Sequence, residues 1–501
     1  MIAAKGLRRR VDYQLLRWQA RLDGQWADRV LPLAAAFGLF LVLLAMSSAQ
    51  ARSLGNGVEL SRWVQGAWHI VNWQDPHPSV VDQHLYEPRG AFGFAVIAQG
   101  TRVVGTVPFL LVLQAAALAA AVIPIWRLCR RVCSLRAGAA TAAITAYGLY
   151  PPLHQLNLAD FHPEALAVPL LLTTAYAGFR GRWWWATGLA IAAMSLRADL
   201  GLAVAALSVV LAVDTRARQA PRLFVLGLGW ALVSLLVVQP AFGDGSFPHA
   251  GAFETYGTTF LGVAWGMLTQ PLDVLADLVA RENFLTLVAL GAPVAFLPGL
   301  ASRYLLPIVP VVALLFVADV PVTGPEGAAN LVPAIVFVFL ALPFALARLG
   351  RRNIERITVD RRLLGALVVA SLVFFVRDSP ASPYEEPWTW GGRTLADQAR
   401  LDAATLVGPD AAVRATEPLV AELAERRRLL LGAERPGVDA RQLADGVDAV
   451  VVDETITGNW GSFRSDQLRS DLEQLGFEVA FDRHGVQLYL RSPVAASSDA
   501  S

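Results

Sequence analysis

Eleven apolar runs, separated by charged or proline-rich segments, restrict the folds open to this chain more than any other feature. They are Leu31–Gln50, Val107–Trp126, Ala137–Tyr150, Pro163–Phe179, Trp183–Leu196, Leu200–Val213, Leu223–Val238, Phe284–Pro298, Tyr304–Val317, Leu331–Leu346 and Leu363–Val376. A helix crossing the hydrocarbon core needs about 20 apolar residues, and fewer when it packs inside a bundle. Backbone in lipid has no water to bond to, so continuous runs of this kind read as helices and exclude a porin-like barrel. Composition agrees. Only 17% of the 501 residues are charged and 55% are hydrophobic, whereas a soluble globule is nearer a quarter charged. The reading is an α-helical polytopic membrane protein with about 11 transmembrane helices and its N-terminus inside.

The net charge of +1 hides two opposed parts. Up to Val376 the chain carries 29 basic and 20 acidic residues, and beyond it 13 and 21. That balance excludes a nucleic-acid binder driven by bulk positive charge. Cytoplasmic connections retain an excess of Lys and Arg. With the N-terminal arm inside, the inner connections hold 23 basic residues and the outer ones six, the latter against 14 acidic residues. Eleven crossings then put the C-terminal tail outside. Residues 1–30 form a basic arm, with Trp18, Trp26, Leu15 and Leu16 among its arginines as in an interfacial helix. The first run also has the small residues of a signal-peptide cleavage site after it, but the arm is too long for a signal peptide and favours an uncleaved anchor. Cys129 and Cys133 share a helical face without further ligands nearby, and read as inert thiols.

The unusual residues lie in the outer segments. The first outer loop, from Ala51 to about Gly90, is long for a connection and too rich in Trp to be disordered. Glu59, Arg62 and Trp63 are spaced i, i+3 and i+4, which places a carboxylate, a guanidinium and an indole on one helical face. Asp75, Asp82, His84 and Arg89 follow, then Ala91–Val104 with the look of a helix on or in the membrane surface. In the second outer loop Asp160, His162 and Glu164 sit where the chain re-enters lipid, with Pro163 placed to start a helix. Between the fifth and sixth runs Arg197 and Asp199 have almost no loop. Ionisable groups at that depth are costly and are functional candidates, although these two also suit a mutual ion pair. His162 reads equally as a buried or capping histidine, and His69, His77 and His249 as surface residues. The segment Phe242–Glu282 opens with Gly243, Gly245, Gly251 and Gly257 and continues as a lateral helix, Thr258–Asp277, that suits a cap over a cavity.

The Glu59-containing loop with its later Gln65 and Trp68, the His84-Leu85-Tyr86-Glu87-Pro88 run, Phe161-His162-Pro163-Glu164 at a helix start, and Leu196-Arg197-Ala198-Asp199-Leu200-Gly201 resemble a known pattern. In that order they are similar to the bacterial predicted membrane proteins of the domain-of-unknown-function 2079 family, from about Glu59 to Arg491. That family looks like the C-type glycosyltransferases, multispanning enzymes that take a sugar from a polyprenyl-phosphate carrier and use a first-outer-loop carboxylate as base. The resemblance implies a bacterial plasma-membrane enzyme, a polyprenyl-phosphate sugar donor and an extracytoplasmic acceptor of unknown kind. It implies Glu59 as catalytic base and Arg62, His84, Arg89, His162 and Arg197 as phosphate partners, with Asp160, Glu164 and Asp199 in support. This chain departs from the family in having Glu59 where Asp is usual. It also has Ala198 where the family has Glu between a basic residue and Asp, so no role carries over to Ala198.

Transfer from a lipid phosphate with inversion needs one base and cationic groups for the departing phosphate. A glycoside hydrolase would need two carboxylates about the bond. Glu59 with Asp160 or Asp82 would have to supply them, and a lipid-facing site suits a lipid donor better. A divalent metal on Asp160, His162 and Glu164 is the weaker reading, since alternate residues around a proline define no coordination geometry, and no cofactor is expected. The rival from another class is a transporter or binding protein for a lipid or envelope polymer. No internal repeat of the kind common in transporters is visible.

Beyond the transmembrane part, 31–376, lie a proline-rich linker, 377–392, and a segment of soluble composition, 393–492. Strands are expected at Ala412–Ala415, Arg428–Leu431, Ala449–Asp453, Glu478–Asp482 and Gln487–Arg491, and helices at Thr394–Leu406, Pro418–Glu425 and Phe463–Leu475. That alternation argues a small extracytoplasmic α/β domain with a final hairpin. Without a glycine-rich phosphate loop it reads as structural or acceptor-docking. Residues 493–501, rich in Ala and Ser, read as a disordered tail.

Overall fold

A computed structural model describes residues 24–243, 245, 247, 249–318, 320, 327–353, 355–384, 391–432, 439–456 and 461–492. Most of the basic arm, part of the linker and the 493–501 tail lie outside the described residues. All eleven apolar runs fall on helices. Among the described residues five helices are long and apolar enough to cross a membrane: Gln25–Arg52, Thr106–Val132, Ala220–Phe242, Leu297–Val317 and Ala328–Leu349. The other six runs form helices of 11 to 18 residues. At 1.5 Å per residue the shortest rise less than 20 Å or so, so the eleven runs are not eleven equal spans. The reason is visible in the packing. Ala328–Leu349 is almost wholly enclosed, with Ala137–Gly148 and Ala167–Phe179 against it in the main apolar core.

Close approach sets one crossing. A Cβ built on Gly201 would lie 2.4 Å from Gly227 O, and one on Gly227 would lie 2.5 Å from Gly201 O. Helices Leu200–Thr215 and Ala220–Val233 therefore touch backbone to backbone, the geometry that small residues permit in lipid. At the end of the bundle where the sequence puts the cytoplasm, strands β1 (Arg351–Asn353) and β2 (Arg356–Thr358) form a hairpin. Ile357 of β2 exchanges main-chain hydrogen bonds with Ser134 and Arg136. Asp28 of the first helix pairs with buried Arg130 at 2.6 Å.

The described residues of the C-terminal segment form a five-stranded sheet. Strand β3 (Val413–Ala415) lies between β4 (Leu429–Leu431) and β5 (Ala449–Asp453) and is parallel to both. Strand β7 (Val486–Arg491) runs antiparallel to β5 and to β6 (Phe477–Arg483), giving the order β4-β3-β5-β7-β6. Helix Leu395–Thr405 starts on a capping box of Thr394 and Asp397. The expected helix at Pro418–Glu425 is shorter, Glu417–Val420, and a helix at Ala440–Ala444 had no clear periodicity. Asp453 at the end of β5 is fully buried and bonded to Arg400 at 2.6 Å, with Thr455 also donating to it. It is a core ion pair.

The sheet does not stand apart. Leu60, Trp63, Val64, Phe94 and Phe161 share one apolar core with Leu419, Val420, Leu429 and Leu488. Polar contacts close the seam: Ser79 Oγ donates to Leu429 O at 2.8 Å, His69 Nε2 lies 3.2 Å from Arg427 O, and Thr106 N donates to Glu425 at 3.3 Å.

Candidate functional site

Helix Val58–Val71 carries the first candidates, and its start is held by Asp160. The Asp160 carboxylate accepts from Gly57 N at 3.1 Å, from Leu60 N at 3.3 Å and from Asn56 Nδ2 at 2.9 Å. It thus satisfies donors that a helix leaves open at its N-terminus, from a residue whose own φ is +65°. The main chain around it is clamped by Gln114, whose Nε2 donates to Asp160 O at 2.8 Å and whose Oε1 accepts from His162 N at 2.7 Å. Gln114 sits inside the second apolar run. A lone polar residue there was the available signal for it.

On this helix Glu59 and Arg62 meet as their spacing implies, with Arg62 Nη1 3.6 Å from Glu59 Oε1. The Glu59 side chain is 36% exposed and Arg62 only 7%. Trp63 departs from the expectation: it is fully buried and packs edge-on to Phe94 at 4.6 Å, so the indole anchors the helix and the other two converge without it. Burial holds the Arg62 guanidinium below its ordinary value against the pull of Glu59.

Arg89 reaches Glu164 at 2.5 Å, the carboxylate being completely buried. Burial disfavours the charge on Arg89, yet the Glu164 and Glu59 carboxylates together raise its pKa. The backbone of Arg89 is pinned too, since its carbonyl accepts from Ala198 N at 2.9 Å. Arg197 forms a bidentate pair with Asp199, at 2.6 Å for both bonds, and donates to Ala329 O at 2.7 Å. Arg197 therefore has protein partners where open phosphate donors were expected. His84 is similar. Its Nδ1 accepts from Tyr86 N at 3.2 Å, which leaves the proton on Nε2 to donate to Asp75 at 3.2 Å. Its ring stacks on Phe242 at 4.5 Å.

Glu59, Arg62, Arg89, Glu164, His162, Arg197 and Asp199 thus form one electrostatic neighbourhood. His84 lies at its margin and Asp160 behind it, under the helix. Asp82 faces away, paired with exposed His77 at 3.3 Å. Among the described residues no group of three or more His, Cys, Asp or Glu is placed to hold a metal. Asp160 turns to the helix start while Glu164 turns to Arg89. His249, read from sequence as a surface residue, is half-buried and within range of Asp199, Arg197 and Arg89, and burial lowers its pKa. The glycine-rich backbone that brings it there leaves no periodic signal.

Five buried atoms in this neighbourhood have no hydrogen-bond partner among the described residues: Glu59 Oε2, Arg62 Nε, Glu164 Oε2 and both ring nitrogens of His162. Buried polar atoms are nearly always bonded. Such a concentration marks a place built for polar contacts beyond those the chain makes with itself.

Fold and site define a polytopic membrane protein with a charged cluster beneath a docked α/β domain. The chain belongs to the family described as Predicted membrane protein (DUF2079), whose model matches residues 90–488. His162, Glu164, Arg197 and Asp199 fall inside the match, whereas Glu59, Arg62, His84 and Arg89 precede it. The fold is similar to that of ArnT from Cupriavidus metallidurans. The crystal structure of its apo state superposes with a TM-score of 0.51 at 13% identity, covering 93% of this chain and 98% of that one. The structure of the same protein bound to undecaprenyl phosphate gives 0.49 at 11% identity, covering 94% and 99%. Comparison with curated proteins yields no match.

Proposed function

We propose that this protein is a bacterial plasma-membrane glycosyltransferase that moves a sugar from a polyprenyl phosphate to an extracytoplasmic acceptor. One observation carries the reading: five unpartnered polar atoms, of both charges, gather around the Glu59–Arg62 and Arg89–Glu164 pairs. The ArnT-like fold supports it.

In this reading Glu59, the carboxylate with partial exposure, takes the proton of the acceptor hydroxyl. The hydroxyl oxygen attacks the anomeric carbon, and the bond from that carbon to the phosphate oxygen breaks with its electron pair left on the phosphate. Arg62, Arg89 and His162 stabilise that charge, guanidinium being suited to bidentate contact. Glu164 holds Arg89 in place. Asp160 fixes the helix that aims Glu59, while Arg197, Asp199 and His84 shape the surrounding loops.

Glu59→Gln keeps the shape and removes the base. In proteoliposomes given a labelled polyprenyl-phosphate sugar, it is expected to lose about 10²- to 10⁴-fold in transfer rate. Full retention of activity overturns the assignment of Glu59.

A further inference from the structure

A cavity of about 470 Å³ opens at the other end of the helices, lined by Ser302, Arg303, Tyr304, Phe344 and Arg348 with two small alanines. Its distance from the cluster follows from one helix. Leu200–Thr215 begins beside Arg197 and Asp199 and ends beside Asp214, a rise of roughly 24 Å. Asp214 in turn pairs with Arg303 at 2.9 Å and accepts from Tyr304 Oη at 2.7 Å.

The lining combines two chemistries. Arg303 is half exposed; its Nη2 pairs with Asp214 and donates to Tyr304 Oη, its guanidinium lies 5.1 Å from the Tyr304 ring centroid, and its Nε and Nη1 have no hydrogen-bond partner among the described residues. Arg348 gives Nη1 to Leu300 O, and its Nε and Nη2 have no partner among the described residues. Two guanidiniums therefore face one carboxylate. The wall is aromatic, Tyr304 and Phe344 being stacked at 3.7 Å, with Phe179 tilted against them. Next in sequence to lining residues, Leu300 and Leu349 are 47% and 44% exposed, and Leu300 O accepts from Arg348. A soluble anion has no use for such exposed leucines. Basic pockets between membrane helices suit anionic lipid headgroups, and the volume lies within the about 300–1,000 Å³ usual for small-ligand sites.

We propose that this cavity is a binding site for the phosphate headgroup of an anionic phospholipid from the adjacent leaflet. Arg303 and Arg348 contact the phosphate, and the acyl chains leave past Leu300 and Leu349. The site is separate from the loop-one cluster and independent of the transferase reading.

The test uses the full-length protein in detergent, with phosphatidylglycerol or phosphatidylcholine added, and native mass spectrometry to count retained lipid. The intact protein is expected to keep phosphatidylglycerol in preference to phosphatidylcholine. The double variant Arg303→Gln, Arg348→Gln should weaken that retention by roughly thirtyfold, two cations' worth near an anionic headgroup. Ala347→Trp, which fills the cavity without altering charge, should do the same and supplies the result if the double variant does not fold. The proposal falls if the variants retain phosphatidylglycerol as the parent does, or if phosphatidylcholine binds as well. It also falls if millimolar inorganic phosphate displaces the lipid, since the ligand would then be a soluble phosphate.

Discussion

Asp160 and Glu164 stand four residues apart around a proline, and the sequence places both where the chain re-enters lipid without assigning them a common ligand. Backbone geometry separates them. The left-handed conformation at Asp160 turns its carboxylate under helix Val58–Val71, while the 3₁₀ turn Pro163–Leu166 carries Glu164 into the protein against Arg89. Such directions depend on dihedral angles that residue types do not encode, so location in the outer loops and resemblance could nominate these residues but not say which way each one points. Removing one partner of a buried ion pair costs about 3–5 kcal/mol, because the other is left uncompensated. Arg89→Gln is therefore expected to lower the melting temperature markedly, and Glu164→Gln in the same chain to recover most of the loss. A double variant no more stable than Arg89→Gln alone contradicts the pairing. The histidines of this loop give a pH dependence. Burial holds His84 and His69 below the ordinary 6.5, so the native state prefers neutral rings and the unfolded chain takes up protons first as pH falls. Stability should be level above about pH 6.5 and decline through and below it. Melting curves from pH 7.5 to 5 test this, and replacing both histidines by Gln should flatten the slope.

At the level of elements, periodicity and run length located the helices of the eleven apolar runs and the five described strands of the terminal sheet, because burial in lipid or in a sheet core imposes those patterns directly. Other elements were less legible for identifiable reasons. The lateral helix expected over Thr258–Asp277 is two helices, Phe260–Thr269 and Pro271–Leu278, broken where Pro271 cannot continue the first. The hairpin of β1 and β2 rests on pairing with Ser134 and Arg136, more than 200 residues away in sequence, and its arginines read only as positive charge. The Gly201–Gly227 crossing also needed the fold, since each glycine looks dispensable within its own apolar run. Gly227→Leu would drive a side chain into the backbone of the facing helix. Overpacking of this kind typically costs 1–3 kcal/mol or so, and here backbone must move. The expected result is a lower melting temperature, with Gly229→Leu, which meets open space, as the tolerated control. Equal melting temperatures for the two variants would contradict the close crossing.

For the whole molecule, charge and packing bear on the same question from different directions. The excess of basic residues in alternate connections predicts sides for the helices, whereas the seam between the sheet and the first loop links two segments regardless of any membrane. Arg393 donates to Arg52 O at 2.9 Å and Glu425 accepts from Thr106 N at 3.3 Å. The C-terminal sheet therefore lies at the same end as the loop between the first two apolar runs. Any even number of crossings between Thr106 and Arg393 satisfies that contact, and the ten runs counted there are one such number. The contact fixes which parts share an end, and the charge bias predicts which side of the membrane that end faces. Cysteine labelling separates the two arguments. The native Cys129 and Cys133 are buried, so an introduced thiol reads out alone. Asp410→Cys, at an exposed turn before β3, should react with a membrane-impermeant maleimide on intact cells. Arg352→Cys, exposed in β1, should react only after permeabilisation. The reverse pattern would invert the molecule and remove the extracytoplasmic acceptor from the proposed function, while leaving the shared seam intact. Labelling of both sites from one side would contradict the separation of the two ends at which the loop-one cluster and the lipid cavity lie.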